Sequence, residues 1–270
     1  MQVQISAREN AELLSAEFQR RYEPNFAWGN ICSNYLSLPG LRSFWPGSAH
    51  RVDANGFYLT DIANGFDCTG SVGFVPSIRY GGLIPYVYYQ VGSSFQRAAD
   101  EAHFDILGNE AYIANPGLTL GCWFTCTGNA ATRHLITKWA GAGQQSYRLY
   151  HSDIGGVTSL SVNGGAATVS STYIIPNNGW RFVAARFVPS TTVDIYMSSS
   201  VIGEIQKLSS AAGVPATLTN SNAVFALATD TSGINVTHLG NMTLDFICAS
   251  ALTDTQIYSL FHQSRPLFGR

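Results

Sequence analysis

The stretch from Asn178 to Met197 constrains this chain most, because two runs of alternating side chains flank a turn at Pro189-Ser190. The runs are 180–185 and 193–197. A period of two residues, bounded by Gly, Pro and Ser, is typical of an antiparallel β-hairpin. Both faces of the hairpin carry large side chains, so we expect it to lie inside a two-layered sheet structure and not on a free edge.

Short strand-like runs, separated by Gly- and Asn-rich turns, continue on both sides of this hairpin. Many short strands at this spacing predict an all-β fold, a two-sheet antiparallel sandwich or jelly roll. We expect the Ser-, Ala- and Thr-rich segment 198–222 to be an irregular surface loop. The predicted strands are 41–45, 57–60, 72–80, 84–91, 118–126, 133–139, 146–151, 157–163, 180–188, 192–197, 223–229 and 242–250.

Two helices are predicted outside the strand-rich region, one over 6–22 and one over Leu252 to His262. Each begins with a capping box, Ser6 with Glu9 and Thr253 with Gln256. The first helix has one apolar stripe, which must be buried on its own domain or on a neighbouring subunit, and we favour the neighbour. The sequence therefore predicts an N-terminal helix and extended arm over 1–38 and a jelly-roll domain over 39–270.

The composition excludes several classes of partner. Charged residues make up 12% of the chain, about half the usual share of roughly a quarter. A surface this poor in Lys and Glu resembles protein interfaces. The net charge of −2 and the lack of a basic cluster beyond Arg20-Arg21 argue against nucleic acid. No apolar run approaches the roughly 20 residues of a membrane span.

The cysteines and the N-terminal residues indicate where the chain is made. The first residues lack the basic-then-apolar layout of a secretory signal, so we expect synthesis in a reducing cytoplasm. Cys122 and Cys126 lie four positions apart on one predicted strand, about 13 Å between Cα atoms and beyond disulfide reach. We therefore expect buried free thiols, not disulfides or a metal site.

Several segments follow one another in the order of a known module: Gly40–Trp45, Leu118–Phe124, Leu135–Trp139, Tyr147–Tyr150, Gly179–Ala185 and Met242–Ile257. Together they resemble the laminin G-like, concanavalin A-like jelly-roll module found in many bacterial and phage proteins. The resemblance covers roughly residues 40–262 and implies a lectin-like sandwich. It implies no single function, because this scaffold carries lectins, glycosidases, adhesion modules and virion proteins alike.

An enzyme is not expected from these residues. Related folds that cleave glycans use a Glu-x-Asp-x-Glu strand, which places alternate carboxylates on one face. The nearest group here is Asp100, Glu101 and Asp105, where the resembled family has structural residues. The histidines are scattered and form no hydrolase or metal motif. A glycoside hydrolase is therefore only a remote alternative.

Ligand-binding residues can be proposed from two patterns. Exposed aromatic side chains would stack on sugar faces, and the candidates are Trp139, Tyr150 and Tyr173. Oxygen-bearing side chains near loops would converge on Ca²⁺, and the candidates are Asp153, Asp230, Asn235 and Asn241. Turn formation explains these four residues without a metal, so we expect no cofactor.

We expect a non-enzymatic structural protein of a phage particle, either a capsid decoration (cement) protein or a tail-associated component, on the virion surface. Its partners would be copies of itself and a major capsid or tail protein, with no nucleic acid and no membrane. The alternative is a glycan-binding module for receptor or host-surface recognition. The expected partner-binding residues lie on the arm: Leu13, Leu14, Phe18, Tyr22, Phe26 and Trp28.

Overall fold

A computed structural model describes residues 28–53, 56–70, 77–81, 84–89, 95–96, 101–127, 132–152, 156–201, 203–229 and 238–268. Helix α1 is described over 28–36, and α2 is Asp254–Ser264. The strands are β1 (Leu41–Trp45), β2 (His50–Asp53), β3 (Gly56–Leu59), β4 (Cys68–Gly70), β5 (Ser77–Gly81), β6 (Ile84–Tyr89), β7 (Phe95–Gln96), β8 (Pro116–Phe124), β9 (Arg133–Trp139), β10 (Gln145–His151), β11 (Thr158–Val162), β12 (Ala167–Ser170), β13 (Arg181–Val188), β14 (Thr192–Ser198), β15 (Ile205–Ser210), β16 (Phe225–Leu227) and β17 (Gly240–Ser250).

The strands form two antiparallel sheets stacked as a sandwich, which confirms the predicted fold class. Sheet A has the order β15-β14-β13-β8-β17-β6-β5, with β1 also paired to β17. Sheet B has the order β12-β11-β10-β9-β16-β7-β4-β3-β2. Strand β17 is eleven residues long, so one end pairs with β6 and the other with β1 while its other edge pairs with β8.

The central strands of sheet A are buried on both faces, and their alternating side chains explain why. On β13, Val183 and Ala185 enter the core between the sheets, whereas Phe182 and Ala184 point outward. The outward side chains join an outer cluster covered by α1 and α2. The hairpin β13–β14 turns at Pro189-Ser190 as predicted, and Ser190 adopts a φ of 53° there.

Helix α1 packs on the sandwich of its own chain. The ring of Tyr35 stacks on Phe44 with centroids 4.8 Å apart and meets Phe246 edge-on at 5.4 Å. Trp28 is half-buried against the same cluster and donates from Nε1 to Ser48 Oγ at 3.4 Å. The expected anchors Leu13, Leu14, Phe18, Tyr22 and Phe26, and the predicted helix over 6–22, lie outside the described residues. The domain boundary at residue 38 stays a prediction.

Helix α2 confirms the C-terminal helix. Thr253 Oγ1 accepts from the Gln256 amide at 3.3 Å, and Gln256 Oε1 accepts from the Thr253 amide at 2.8 Å, so both halves of the capping box form. Phe261 lies on the buried face of the helix against Trp123. The Trp123 indole also donates to Ser264 Oγ at 2.8 Å, which fixes the end of the helix. Neither described helix is long and apolar enough to cross a membrane.

The predicted loop over 198–222 is wrong in part, because β15 lies within it and pairs with β14 along six residues. Most side chains of β15 are half-buried. Polar residues, Gln206 and Lys207, point to opposite faces of this strand, so its sequence shows no alternation of apolar and polar residues. Its two large apolar side chains lie three positions apart, with Ile205 against the outer cluster and Leu208 against the core between the sheets. As predicted, Cys122 and Cys248 are buried free thiols.

Candidate functional site

A cleft of about 390 Å³ opens at the end of sheet A where β1 begins, β8 begins and β17 ends. Its lining comes from three pieces of chain, 39–42, 112–115 and Ser250. Ligand sites in proteins usually occupy roughly 300–1,000 Å³. The volume therefore suits a small ligand or one or two sugar rings.

Backbone hydrogen bonds fix the floor of this cleft. The Gly40 carbonyl accepts from the Ala249 amide at 2.7 Å, and the Asn115 carbonyl accepts from the Ala251 amide at 2.9 Å. Ser250 Oγ donates to the same Asn115 carbonyl at 3.1 Å. Gly40 has a φ of 65°, and a Cβ there would lie 3.0 Å from Ser250 Cβ, so the close approach depends on glycine. The floor is consequently held in one conformation.

Two irregularities in the pairing of β17 flank the cleft. The register with β1 shifts between Leu41 and Ser43, and the register with β8 shifts between Cys248 and Ser250. The first shift makes Arg42 the extra residue of a β-bulge. Bulges redirect side chains and are common beside functional sites. Leu41 packs against the outer cluster as well as lining the cleft, and the bulge places Arg42 beside it in the lining.

Tyr112 and Arg42 form the rim. The side chain of Tyr112 is one of the most exposed aromatic groups of the described residues, at 75% exposure. Arg42 Nη2 donates to the phenol oxygen of Tyr112, and Arg42 Cζ lies 5.8 Å from the centroid of its ring. One face of an aromatic ring is therefore open to solvent beside a guanidinium group.

The residues behind Arg42 hold β1 in position. The ring of His103 stacks on Phe66 with centroids 3.6 Å apart, and His103 Nε2 lies 2.6 Å from the Arg42 carbonyl. Burial lowers the pKa of His103, so the ring is neutral at pH 7 and Nε2 donates to that carbonyl. Asn64 Nδ2 donates to the same carbonyl at 2.7 Å. Asp61 Oδ1 accepts from the Phe44 amide at 2.9 Å, which fixes the next residues of the strand.

The lining of this cleft offers several groups that can contact a ligand. The described lining contains no Asp, Glu, His or Cys side chain, so it offers no general acid, base or nucleophile of these kinds. It does offer an exposed aromatic face, a guanidinium, the Asn115 amide and backbone polar groups. Apolar surface with a few placed polar groups is the usual lining of a ligand site.

The aromatic residues proposed for sugar stacking lie elsewhere. Trp139 and Tyr150 lie on sheet B with the guanidinium of Arg148 between them, 4.2 Å from the Trp139 ring and 4.5 Å from the Tyr150 ring. Trp139 is only 5% exposed, so Arg148 covers the face that a sugar would need. Tyr173 packs against the inter-sheet core instead. The structure thus brings two of the three together.

The proposed Ca²⁺ residues are not brought together in the described part of the chain. Asp153, Asp230 and Asn235 lie outside it, and Asn241 belongs to β17, where its side-chain Nδ2 donates to Thr125 Oγ1 at 2.9 Å. The described residues contain no group of three His, Cys, Asp or Glu side chains that could hold a metal ion. Of the acidic group near residue 100, Asp105 pairs with Lys138 at 3.0 Å, and Asp100 lies outside the described residues.

Sequence reasoning did not select Tyr112 or Arg42. A signal for Tyr112 is present, because it stands in the turn-rich stretch 108–117, where no regular element can bury an aromatic ring. Arg42 has no comparable signal. Its exposure to the cleft follows from a register shift against a strand far along the sequence.

No protein-family model matches the sequence, and no curated protein sequence matches it. Solved structures do match, at low sequence identity. The binding domain of Paraclostridial Mosquitocidal Protein 1 aligns with a TM-score of 0.56 and 12% identity over 82% of this chain and 52% of its own. The binding domain of botulinum neurotoxin serotype G aligns with a TM-score of 0.53 and 10% identity over 82% of this chain and 50% of its own. This chain thus spans about half the length of these two structures.

A third solved structure is matched over nearly its whole length. Domain 4 of AbnA, a GH43 extracellular arabinanase from Geobacillus stearothermophilus, was solved in complex with arabinotriose. It aligns with a TM-score of 0.55 and 16% identity over 82% of this chain and 98% of its own. At such identities the likeness establishes architecture alone. This chain folds as a two-sheet antiparallel β-sandwich.

Proposed function

We propose that this protein is a non-enzymatic glycan-binding module whose binding site is the cleft at Arg42 and Tyr112. The observation that carries the proposal is the exposed ring of Tyr112 beside the Arg42 guanidinium on the rim of a fixed cleft. The match to an arabinanase domain solved with arabinotriose supports it at the level of fold. The two toxin structures are binding domains, which supports a binding role at the same level.

The chemistry of the cleft fits a sugar in two respects. A sugar ring has an apolar C–H face that packs on an aromatic ring, and Tyr112 presents such a ring with little side-chain freedom to lose. Sugar hydroxyls need donors and acceptors at fixed positions, which the Asn115 side chain and the hydrogen-bonded floor around Gly40 provide. A preorganised floor lowers the entropy lost on binding.

The test is a glycan array followed by calorimetry with the best ligand. We expect Tyr112→Ala to weaken binding at least about tenfold, since aromatic stacking and buried apolar area together contribute more than about 1.4 kcal/mol. Ile174→Ala is the matched control, because Ile174 is 63% exposed and does not line the cleft. Absence of binding to every glycan, or equal binding by Tyr112→Ala, would contradict the proposal.

A second candidate is a structural role on the surface of a phage particle, as a decoration or tail-associated component. It is favoured by a charged-residue content of only 12%, which suits a surface covered by partners. We would measure the solution mass of the full chain by light scattering, alone and with Leu14→Ser and Phe18→Ser together. An oligomer that the double variant dissociates supports this role, and monomers in both cases count against it.

A further inference from the structure

We infer that the cleft selects saccharides that carry a carboxylate, and that the Arg42 guanidinium receives it. This inference rests on the proposed glycan-binding function and specifies its ligand class. It starts from the charge of the lining. Arg42 is the one charged side chain among the described residues that line the cleft. An anionic ligand would therefore meet a cation with no competing acid on the described walls.

The nearby acidic side chains are occupied elsewhere. Asp61 Oδ1 accepts from the Phe44 and Ala63 amides at 2.9 Å each, and its Oδ2 accepts from the Phe66 amide at 3.1 Å. Glu110 Oε1 accepts from the Leu107 amide at 2.7 Å, and its Oε2 is buried without a hydrogen-bond partner among the described residues. Among the described carboxylates, none lies within 4 Å of the Arg42 guanidinium nitrogens. The positive charge of Arg42 is thus left for a ligand.

The hydrogen bonds of Arg42 point the same way. A guanidinium carries five N–H donors in a fixed fork. Nη2 uses one of them on the Tyr112 phenol oxygen. Nε is buried and has no hydrogen-bond partner in the described part of the chain. Because Nε is out of reach of a ligand, the remaining N–H donors of Nη1 and Nη2 are the ones available. A carboxylate can accept from both terminal nitrogens together, as planar forks do.

The backbone makes this arrangement rigid before any ligand arrives. Arg42 is the extra residue of the bulge in β1, and its carbonyl is held by both His103 and Asn64. The bond from Nη2 to Tyr112 then orients the guanidinium beside the stacking ring. A sugar ring on Tyr112 would place its substituents at the guanidinium. The planar guanidinium of Arg can donate to both oxygens of a carboxylate in a fixed geometry, whereas the ammonium of a Lys at this position would act only as a point charge.

The experiment compares acidic sugars with neutral sugars of the same shape. The probes are digalacturonate and its methyl ester, glucuronate and glucose, and sialyllactose and lactose. Each is titrated by calorimetry into the full-length protein at low and high salt. We expect at least one acid to bind about tenfold more tightly than its neutral partner, the gain of a charge-assisted pair over a neutral one. The preference should shrink as salt increases.

Variants assign the preference to Arg42. Arg42→Gln should abolish it, and Arg42→Lys should retain only part of it, because the charge stays but the fork is lost. If Arg42→Gln does not fold, as judged by circular dichroism, the methyl ester comparison on the wild type still decides. Equal binding of every acid and its neutral partner overturns the inference, as does a preference that survives in Arg42→Gln. If neutral sugars bind through Tyr112 as well as the acids do, the proposed glycan-binding function stands and only the inferred preference for acids fails. If no saccharide binds, the proposed function and the inference both fail.

Discussion

The Nε2 atom of His151 lies 2.9 Å from the Nδ1 atom of His238, and neither side chain is exposed to solvent. His151 Nδ1 is 2.7 Å from the Ser152 carbonyl, so this nitrogen carries a proton and Nε2 accepts from His238. Phe124 packs against both rings. The pair forms one chain of hydrogen bonds, and burial favours the neutral form of His238.

Burial, reinforced by the neighbouring His151, lowers the pKa of His238 well below its ordinary value. The folded protein then binds this proton more weakly than the unfolded chain does. The contribution of His238 to the free energy of unfolding is fully present above about pH 6.5. It falls as the pH decreases, by at most about 1.4 kcal/mol per pH unit. We expect His238→Asn, which can keep the bond to His151, to flatten this decline.

Urea unfolding between pH 5 and pH 8 measures the decline. His262→Asn is the control, because His262 is exposed on α2. Its profile should match the wild type. Equal slopes for wild type and His238→Asn would show that another group is responsible.

Asp245 should lower the stability at neutral pH. It is fully buried opposite Trp45, and neither carboxylate oxygen has a hydrogen-bond partner among the described residues. Burial raises the pKa of Asp245 well above its ordinary value. The favourable contribution of its protonated form is complete below about pH 4 and is lost as the pH rises through the folded-state pKa.

We therefore expect Asp245→Asn to be more stable than the wild type at pH 7, by more than about 1.4 kcal/mol, the value of a single pKa unit. The difference should vanish near pH 4. Thermal unfolding at both pH values tests this, with the exposed Glu204→Gln as control. A variant less stable than the wild type at pH 7 would contradict the assignment.

The packing of α1 on its own sandwich predicts a contrast between adjacent residues. Tyr35 is 1% exposed and Leu36 is 42% exposed. We expect Tyr35→Ala to reduce the free energy of unfolding by about 3–5 kcal/mol, as for other buried aromatic side chains. Leu36→Ala should change it by less than about 0.5 kcal/mol. Similar losses in urea unfolding for the two variants would mean that α1 does not dock in this orientation.

The capping box of α2 can be tested by two identical substitutions two residues apart. Thr253→Ala removes the side chain that accepts from the Gln256 amide, and we expect a loss of about 1 kcal/mol. Thr255→Ala changes an exposed residue within the first turn and should be neutral or slightly stabilising. If both variants lose the same amount in urea unfolding, the cap contributes nothing specific.

The sequence predicted those parts of the fold whose signals are local. The β13–β14 hairpin has period-two alternation, and α2 has its capping box, so both were identified close to their actual bounds. Strand β15 was missed because pairing with β14 defines it, and its own side chains carry no apolar pattern. Short strands such as β4 and β7 depend on their neighbours in the same way.

The candidate site was less predictable for a related reason. Tyr112 could have been selected from its turn-rich surroundings, but Arg42 could not, because the bulge that redirects it depends on pairing with β17. Trp139 illustrates the opposite case. Its sequence context suggested an exposed ring, and only the three-dimensional packing reveals that Arg148 covers it.

The central position of β17 has a consequence for how the chain is made. This strand pairs with β1, β6 and β8, and its partners in β1 lie roughly two hundred residues earlier, a separation that slows folding. During synthesis, sheet A stays incomplete until residue 250 has left the ribosome. Until then the edges of β1, β6 and β8 that β17 will cover remain open to pairing with other chains. Premature termination before residue 240 would therefore yield an aggregating product, not a shortened sandwich.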